Sequence, residues 1–351
     1  MSSARSEVVE GGTPLDRDGA RRPVLSSLVA PSDQVWNESV EVVAASEHPG
    51  SPAWLWAVLR RSGGRRAFIL RGTSGWSEGY RELIAAGLLR RLRKDAVVVV
   101  SDATIEPGSR ALGSRLPPVL AKALGGVSRA VIRFVDGDNV VWCVLSTREV
   151  EDFGRVWGLR RPTVVFTPFS HTIWKSALLR DVPTGEGFFS GGNSLRDYEM
   201  LIAAAEGLDV DVDVATTWSP GRSTGRVRFA PTSHEGFLEG MRTSRAVVLP
   251  LEHAVRSTGQ QTYLNAMALG KVVIVNDAPG VRDHVEHGVT GLVVGGVEQM
   301  RSAMRDVLDP GRADHYDAMG RRAREHVLGR LTDRHYRARL LEVAGVAAAS
   351  S

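Results

Sequence analysis

Short runs of apolar residues alternate along this chain with segments whose apolar positions recur every three or four residues. Period two or an unbroken run marks a strand, and period 3.6 marks a helix. The first half reads as strand SVEVVAAS (39–46), helix AWLWAVLRR (53–61), strand RAFILRG (66–72), helix YRELIAAGLLRRLRK (80–94) and strand AVVVVSD (96–102). A helical piece near 117–125 follows, then AVIRFVD (130–136) and VVWCVLST (140–147) as strands, the helix REVEDFGRVWGL (148–159) and the strand PTVVFTP (162–168). The uninterrupted Val run at 97–100 fits a parallel strand covered on both faces.

The pattern restarts after LLRDVPTGEG (178–187), whose Gly/Pro and polar character suits a link between domains. GFFSGG (187–192), DVDVAT (211–216), RVRFAP (226–231), AVVLPL (246–251) and VVIVND (272–277) read as strands, with helical patterns between them and three more at 296–308, 312–329 and 332–345. The expected architecture is α/β: two doubly wound, Rossmann-like domains in series, facing each other across a cleft. Expected limits are a flexible N-terminal tail at 1–35, a first domain at 36–178, a second at 179–330 and a terminal helix and tail at 331–351.

Length and composition agree with this picture. The 351 residues exceed one ordinary domain, and 43% hydrophobic with 24% charged residues indicates packed globular structure. The formal net charge of +4 favours anionic ligands. No Arg run interleaved with aromatics and no zinc-finger spacing occurs, so nucleic acid is not an expected partner. The single cysteine, Cys143, excludes an intramolecular disulfide and lies in an apolar run. No apolar stretch is long enough to span a bilayer and no signal-peptide core is present, so the cytoplasm is the expected location.

Two strand-to-helix junctions carry candidate chemistry. In STGQQTYLNAMALGK (257–271), Ser257, Thr258 or Gly259 can cap the helix, and Gly259 lets a ligand approach the backbone. The N–H groups of Gly259, Gln260, Gln261 and Thr262 would then form an anion site reinforced by the helix dipole. Gln261 and Asn265 share one face, while Leu264, Met267 and Ala268 take the buried one. In FFSGGNSLRDYEM, Gly191 and Gly192 turn the chain and Asn193 or Ser194 caps the next helix. Arg196 then lies in a first helical turn, where a cation opposes the dipole unless an anion is near or Glu199 pairs with it. Asp283, His284, Glu286 and His287 lie close in sequence, and no metal site is expected from them. The spelling DVDVD at 209–213 lies in an apparent strand and is discounted as a metal motif.

FFSGG with RDYEMLIAAAEGL, then AVVLPL, STGQQTYLNAMALGK, VVIVNDAPG and HGVTGLVV in that order, resembles the donor-binding half of the group 1 (family 4-type) GT-B glycosyltransferases. The likeness covers most of residues 186–330. The first half resembles the family's acceptor domain in layout only, with ASEHPGS at its first strand-to-helix loop. The resemblance implies that a nucleoside-diphosphate sugar lies in the interdomain cleft, its diphosphate held at Gly259, Gln260, Gln261 and Thr262. It further implies retention at the anomeric carbon. The family commonly carries two glutamates eight residues apart here, one on the sugar and one on the ribose; this chain has Ser257 and Asn265. Asn265 could still accept from a ribose hydroxyl, and Glu252 is a candidate to fold back in place of the missing acid. Gly192 stands where the family has an arginine, and Arg196 falls near its lysine, which makes Arg196 the candidate phosphate cation.

Helix-end amides and an arginine neutralise a departing diphosphate without a metal, and no cofactor is expected. Asp102, ending a buried strand at the cleft edge, is the candidate acceptor-side catalytic group; capping of the next turn is its other reading. The acceptor is not identified. The cluster Arg90, Arg91, Arg93 and Lys94 raises peripheral membrane contact as a candidate, with helix C-capping as the alternative. Sugar transfer is the leading expectation. A nucleotide-sugar-binding pseudoenzyme or a GT-B sugar-nucleotide epimerase is the alternative.

Overall fold

The Val-rich runs become parallel strands because each is covered on both faces and linked to the next by a crossover. The structure, a computed structural model, describes residues 22–30, 33–48, 50–72, 80–105, 118–173, 175–180 and 185–346. The first sheet contains β1 (Val24–Ser26), β2 (Val40–Val42), β3 (Ala67–Arg71), β4 (Val97–Ser101), β5 (Val140–Val144) and β6 (Thr163–Phe166), in the order β2-β1-β3-β4-β5-β6. The second contains β7 (Phe188–Gly191), β8 (Val212–Ala215), β9 (Val227–Ala230), β10 (Ala246–Leu249), β11 (Val272–Asn276) and β12 (Leu292–Val294), in the order β12-β11-β10-β7-β8-β9. Every pairing in both sheets is parallel. Two parallel sheets in series are the expected architecture.

The helices are α1 (Gln34–Ser39), α2 (Ser51–Arg61), α3 (Arg81–Leu92), α4 (Pro118–Val135) and α5 (Thr147–Trp157) in the first half. The second half has α6 (Tyr198–Ala205), α7 (His234–Thr243), α8 (Gln260–Ala268), α9 (Val297–Leu308), α10 (Ala313–Arg330) and α11 (Asp333–Val343). Three details depart from the sequence reading. Val24–Ser26, within the expected tail of 1–35, form β1 inside the sheet between β2 and β3, and α1 starts at Gln34, capped by Asp33. Residues 1–21 lie outside the described residues. AVIRFVD is the end of α4, not a strand, because Ser128, Ile132 and Val135 recur at helical spacing and are all buried. Asp136 and Asp138 therefore join a helix to β5 rather than two strands, and Asp136 accepts the Trp142 indole N–H at 3.0 Å.

The terminal helix returns to the first domain. Tyr336, Leu340, Leu341 and Ala344 pack with Val24, Trp36 and Val40. Arg337 pairs with Asp33 at 2.8 Å and also with Asp333. The chain therefore crosses between domains twice.

The basic end of α3 is explained by packing. Arg90 and Arg91 donate to the Phe134 carbonyl at 3.1 and 2.6 Å, at the C-terminus of α4. The Arg91 guanidinium lies 4.1 Å from the Phe134 ring centroid, and Arg93 donates to the Ser62 carbonyl at 2.7 Å. Among the described residues no helix is long and apolar enough to cross a membrane.

In the second domain α8 and α10 approach closely over β11. A Cβ on Gly320 would fall 2.1 Å from the Gly270 carbonyl oxygen, a backbone atom that cannot swing aside. Gly320→Ala is expected to destabilise the protein by about 1–3 kcal/mol through overpacking. A lowered denaturant midpoint checks this; an unchanged midpoint would contradict the close approach.

Candidate active site

In the second sheet the chain runs outward from β7 to β8 and β9, then jumps back to β10 on the other side of β7. The loops after β7 and β10 therefore part from each other at a switch point, where open parallel sheets bind ligands. A cleft of about 540 Å³ lies there. The first domain lines it with Asp102, Thr104, Leu145 and Phe169. The second lines it with the turn 192–196, the start of α7 and the segment leading into α8. Its size suits a small organic ligand.

The loop after β10 enters α8 through Gly259, the N-cap, at φ 79° and ψ −4° with no side-chain cap. This left-handed conformation favours glycine. A Cβ at 259 would also meet the Leu251 side chain at 2.8 Å, so glycine is required by the fold here and not only by a ligand. The N–H groups of Thr262 and Tyr263 both donate to the Gly259 carbonyl, at 2.9 and 3.0 Å. Thr262 therefore contributes its hydroxyl, not its amide, to the site. The amides of Gly259, Gln260 and Gln261 have no acceptor among the described residues. The Gln260 side chain is only 5% exposed, lines the cleft, and its Nε2 has no partner among the described residues.

Arg196 reaches this helix start from the loop after β7. Its Nε donates to the Gly191 carbonyl at 3.0 Å, and its Nη1 to the Ser194 carbonyl at 2.7 Å. Nη2 lies 3.3 Å from the Thr262 hydroxyl, and Nη1 lies 3.5 Å from that of Thr258. Gly192, at φ 116°, makes room: a Cβ there would sit 2.7 Å from the guanidinium. Arg196 thus fills the space that a side chain at 192 would take. Glu199 does not pair with it, because Glu199 pairs with Arg222. Among the described residues no carboxylate forms a salt bridge with Arg196. Burial, with a further contribution from neighbouring Arg256, pulls its pKa below the ordinary guanidinium value, against the opposing effect of Tyr198. The group stays charged at neutral pH. Two arginines and three open amides thus converge on one cleft wall.

The remaining candidates divide. Asn193 lines the cleft but caps the loop after β8, accepting from Thr216 Oγ1 and the Thr217 N–H at 2.8 Å each. Asp197, not Asn193 or Ser194, caps α6. Gly191 ends β7 against the Phe237 ring. Thr258 and Gln261 line the cleft. Asn265 also lines it, yet its Oδ1 accepts the Thr172 N–H at 2.7 Å and its Nδ2 donates to Thr172 Oγ1 at 3.0 Å. Ser257 is 1% exposed, and its N–H donates to Glu149 of the first domain at 3.1 Å. Glu252 is exposed and is not among the lining residues, so the structure does not bring it into the place of the missing acid. His171 is not among the lining residues, and its N–H donates to the Leu331 carbonyl at 3.0 Å.

Asp102 stands across the cleft at the end of β4, at φ 49°. A non-glycine residue there is strained, a condition that clusters at functional sites. Its Oδ1 accepts the Tyr336 hydroxyl at 2.5 Å. Burial raises the Asp102 pKa, opposed by that hydrogen bond and by Arg71.

No cluster able to hold a metal occurs among the described residues. Asp283 instead accepts from the Thr147 N–H and hydroxyl at 2.9 and 2.6 Å, and Asp211 and Asp213 pair with Arg226 and Arg228. Sequence reasoning missed Arg256 and the start of α7, Thr232 to His234 with Phe237, which also line the cleft. Arg256 directly precedes the motif and was legible as an additional cation. The α7 residues carry no motif of their own.

Residues 201–310 match the family described as glycosyl transferases group 1. No curated protein matches the chain in sequence. Among solved structures, sucrose-phosphate synthase from Thermosynechococcus elongatus is similar with a TM-score of 0.60 at 15% identity, over 90% of this chain and 79% of that one. The Anabaena protein Alr3699/HepE in complex with UDP is similar with a TM-score of 0.60 at 13% identity, over 94% and 92%. The pneumococcal O-GlcNAc transferase GtfA in complex with UDP and GlcNAc has a TM-score of 0.54 at 12% identity, over 84% and 59%. The two facing parallel sheets with a switch-point cleft define a GT-B protein. The match to the group 1 family covers part of the second domain, and the structural likenesses extend over both domains.

Two outcomes test this geometry. Arg196→Ala is expected to weaken inorganic pyrophosphate and UDP about 10- to 100-fold, the worth of a charge-assisted contact, and to leave uridine unchanged. Equal losses for UDP and uridine in titration calorimetry would exclude an anion-holding role for Arg196. Asp102 has a folded-state pKa above its unfolded value of 3.8, so the unfolded state releases its proton first. Stability is then lost as pH rises from 3.8 through the folded pKa, and Asp102→Asn abolishes that loss. Denaturant unfolding of both proteins across this range checks the sign.

Proposed function

We propose that the protein is a glycosyltransferase that takes its sugar from a nucleoside-diphosphate sugar, with UDP as the first candidate nucleotide, and passes it to an acceptor hydroxyl. The observation that carries the reading is the meeting of Arg196 with the open amides of Gly259, Gln260 and Gln261 at the switch point. The diphosphate would lie against these groups, whose positive charge offsets the charge gained by the leaving group as the sugar–oxygen bond breaks. No metal or cofactor is needed in this reading. The Gln260 amide nitrogen supplies a further donor. The Thr232–His234 turn and Phe237 would then face the nucleoside. The sugar would point toward Asp102, Thr104 and Phe169. Structures of HepE with UDP and with UDP-glucose support UDP as the first choice. Retention of anomeric configuration follows the family resemblance.

Asp102 is the proposed acceptor-side base. Its raised pKa suits a group that accepts a proton from an alcohol as that alcohol attacks. A second reading, binding without turnover, draws on Asn265 and Ser257. Asn265 is held by Thr172, and Ser257 is buried against Glu149, so neither presents the carboxylate common in the family.

A thermal-shift screen against UDP, GDP, ADP and TDP and their sugars tests the reading, since a ligand that binds only the folded form raises the melting temperature. A shift with at least one diphosphate is expected, and none with any would contradict it. With the sugar so found, nucleotide release that rises with an acceptor supports transfer. Binding with no turnover supports the second reading, and interconversion of the attached sugar would mark an epimerase. Asp102→Asn is expected to lower transfer about 10²- to 10⁴-fold with nucleotide affinity retained; an unchanged rate excludes the base role.

A further inference from the structure

We infer that Glu149, in the first domain, is a positioning residue that holds the phosphate-binding segment of the second domain in shape. The inference rests on the diphosphate site proposed above. Glu149 lies in the first turn of α5 and is 4% exposed. In a capping box its carboxylate would reach back to the N–H of Ser146. Here Oε2 accepts from the Ser146 hydroxyl at 2.8 Å and from the Ser257 N–H at 3.1 Å, across the domain boundary. Ser257 leads through Thr258 into Gly259. Arg256, whose Nη1 donates to the Ser257 carbonyl at 3.0 Å, lines the cleft on one side and acts on the Glu149 charge from the other.

The second domain answers in kind. Asp283 accepts from the N–H and hydroxyl of Thr147, the first residue of α5. Gly280 lies between them: a Cβ there would meet Ser257 Cβ at 2.8 Å and Ser146 Cβ at 3.2 Å. The start of α5 is therefore a docking point for two loops of the second domain, and one of them carries the anion site. Glu149 is not among the residues lining the cleft, so it acts through the loop rather than on a ligand. Burial raises the Glu149 pKa, opposed by the hydrogen bonds from Ser257 and Ser146 and by Arg256. Removing it leaves the Ser257 N–H without its acceptor and frees the segment that sets the left-handed turn at Gly259.

Titration of the full chain with inorganic pyrophosphate and with uridine tests this. Glu149→Ala is expected to weaken pyrophosphate about tenfold or more and leave uridine unchanged. Glu149→Gln, whose amide oxygen still accepts from Ser257, is expected to restore affinity to within about threefold. Equal pyrophosphate affinity in wild type and Glu149→Ala overturns the role of Glu149 alone, and so does a loss shared by uridine. If the wild-type chain does not take up pyrophosphate, the diphosphate reading itself falls. Should Glu149→Ala fail to fold, Glu149→Asp, one methylene shorter, withdraws the carboxylate from the Ser257 N–H and keeps its charge. It is expected to show the same selective loss, and an unchanged affinity overturns the inference.

Discussion

A guanidinium beside a helix N-terminus is electrostatically costly, and the second domain is arranged around that cost. Arg196 faces the start of α8 with Arg256 nearby, and no carboxylate among the described residues pairs with Arg196. The helix dipole adds roughly half a positive charge to the same point. Such an excess is stable when an anion can enter, and three unsatisfied amides are already aimed for one. Strand order puts this point at a switch between β7 and β10, open to the opposite domain.

Small residues make the arrangement geometrically possible. Gly192 leaves the space through which Arg196 passes, and Gly259 takes a left-handed turn that starts α8 without a side-chain cap. Gly280 lets the loop after β11 press against both Ser257 and Ser146. None of these positions contacts a charge of its own. Each fixes where a charged or polar group can stand. The domain boundary is part of the same construction, since Thr172 holds Asn265, Glu149 holds Ser257, and Tyr336 on the returning α11 holds Asp102.

Much of this was legible in the sequence, and the physical reasons differ by residue. Period and apolar runs sufficed for both sheets because parallel strands buried on two faces leave a strong local signal. The short β1 was missed because two apolar residues and a serine carry little periodicity, and its place is set by pairing with β2 and β3. The helix end at 130–135 was misread because Val, Ile and Phe suit either element, and only contact with the sheet decides. At the site, Gly259 was readable as a cap, whereas Arg196, expected in the first turn of α6, lies before its N-cap Asp197. Thr262 was assigned an amide role that backbone closure onto Gly259 removes. Glu252 was assigned a reach that its exposed placement denies. Glu149 and Thr172 could not be found, because they lie about a hundred residues from Ser257 and Asn265 and only the fold brings them together.

A crystal structure of the chain with UDP bound addresses the central electrostatic claim most directly. Phosphate oxygens are expected within about 3 Å of the amides of Gly259, Gln260 or Gln261 and of the Arg196 guanidinium. A diphosphate lodged elsewhere, with those amides and Arg196 still facing an empty cleft, would contradict it.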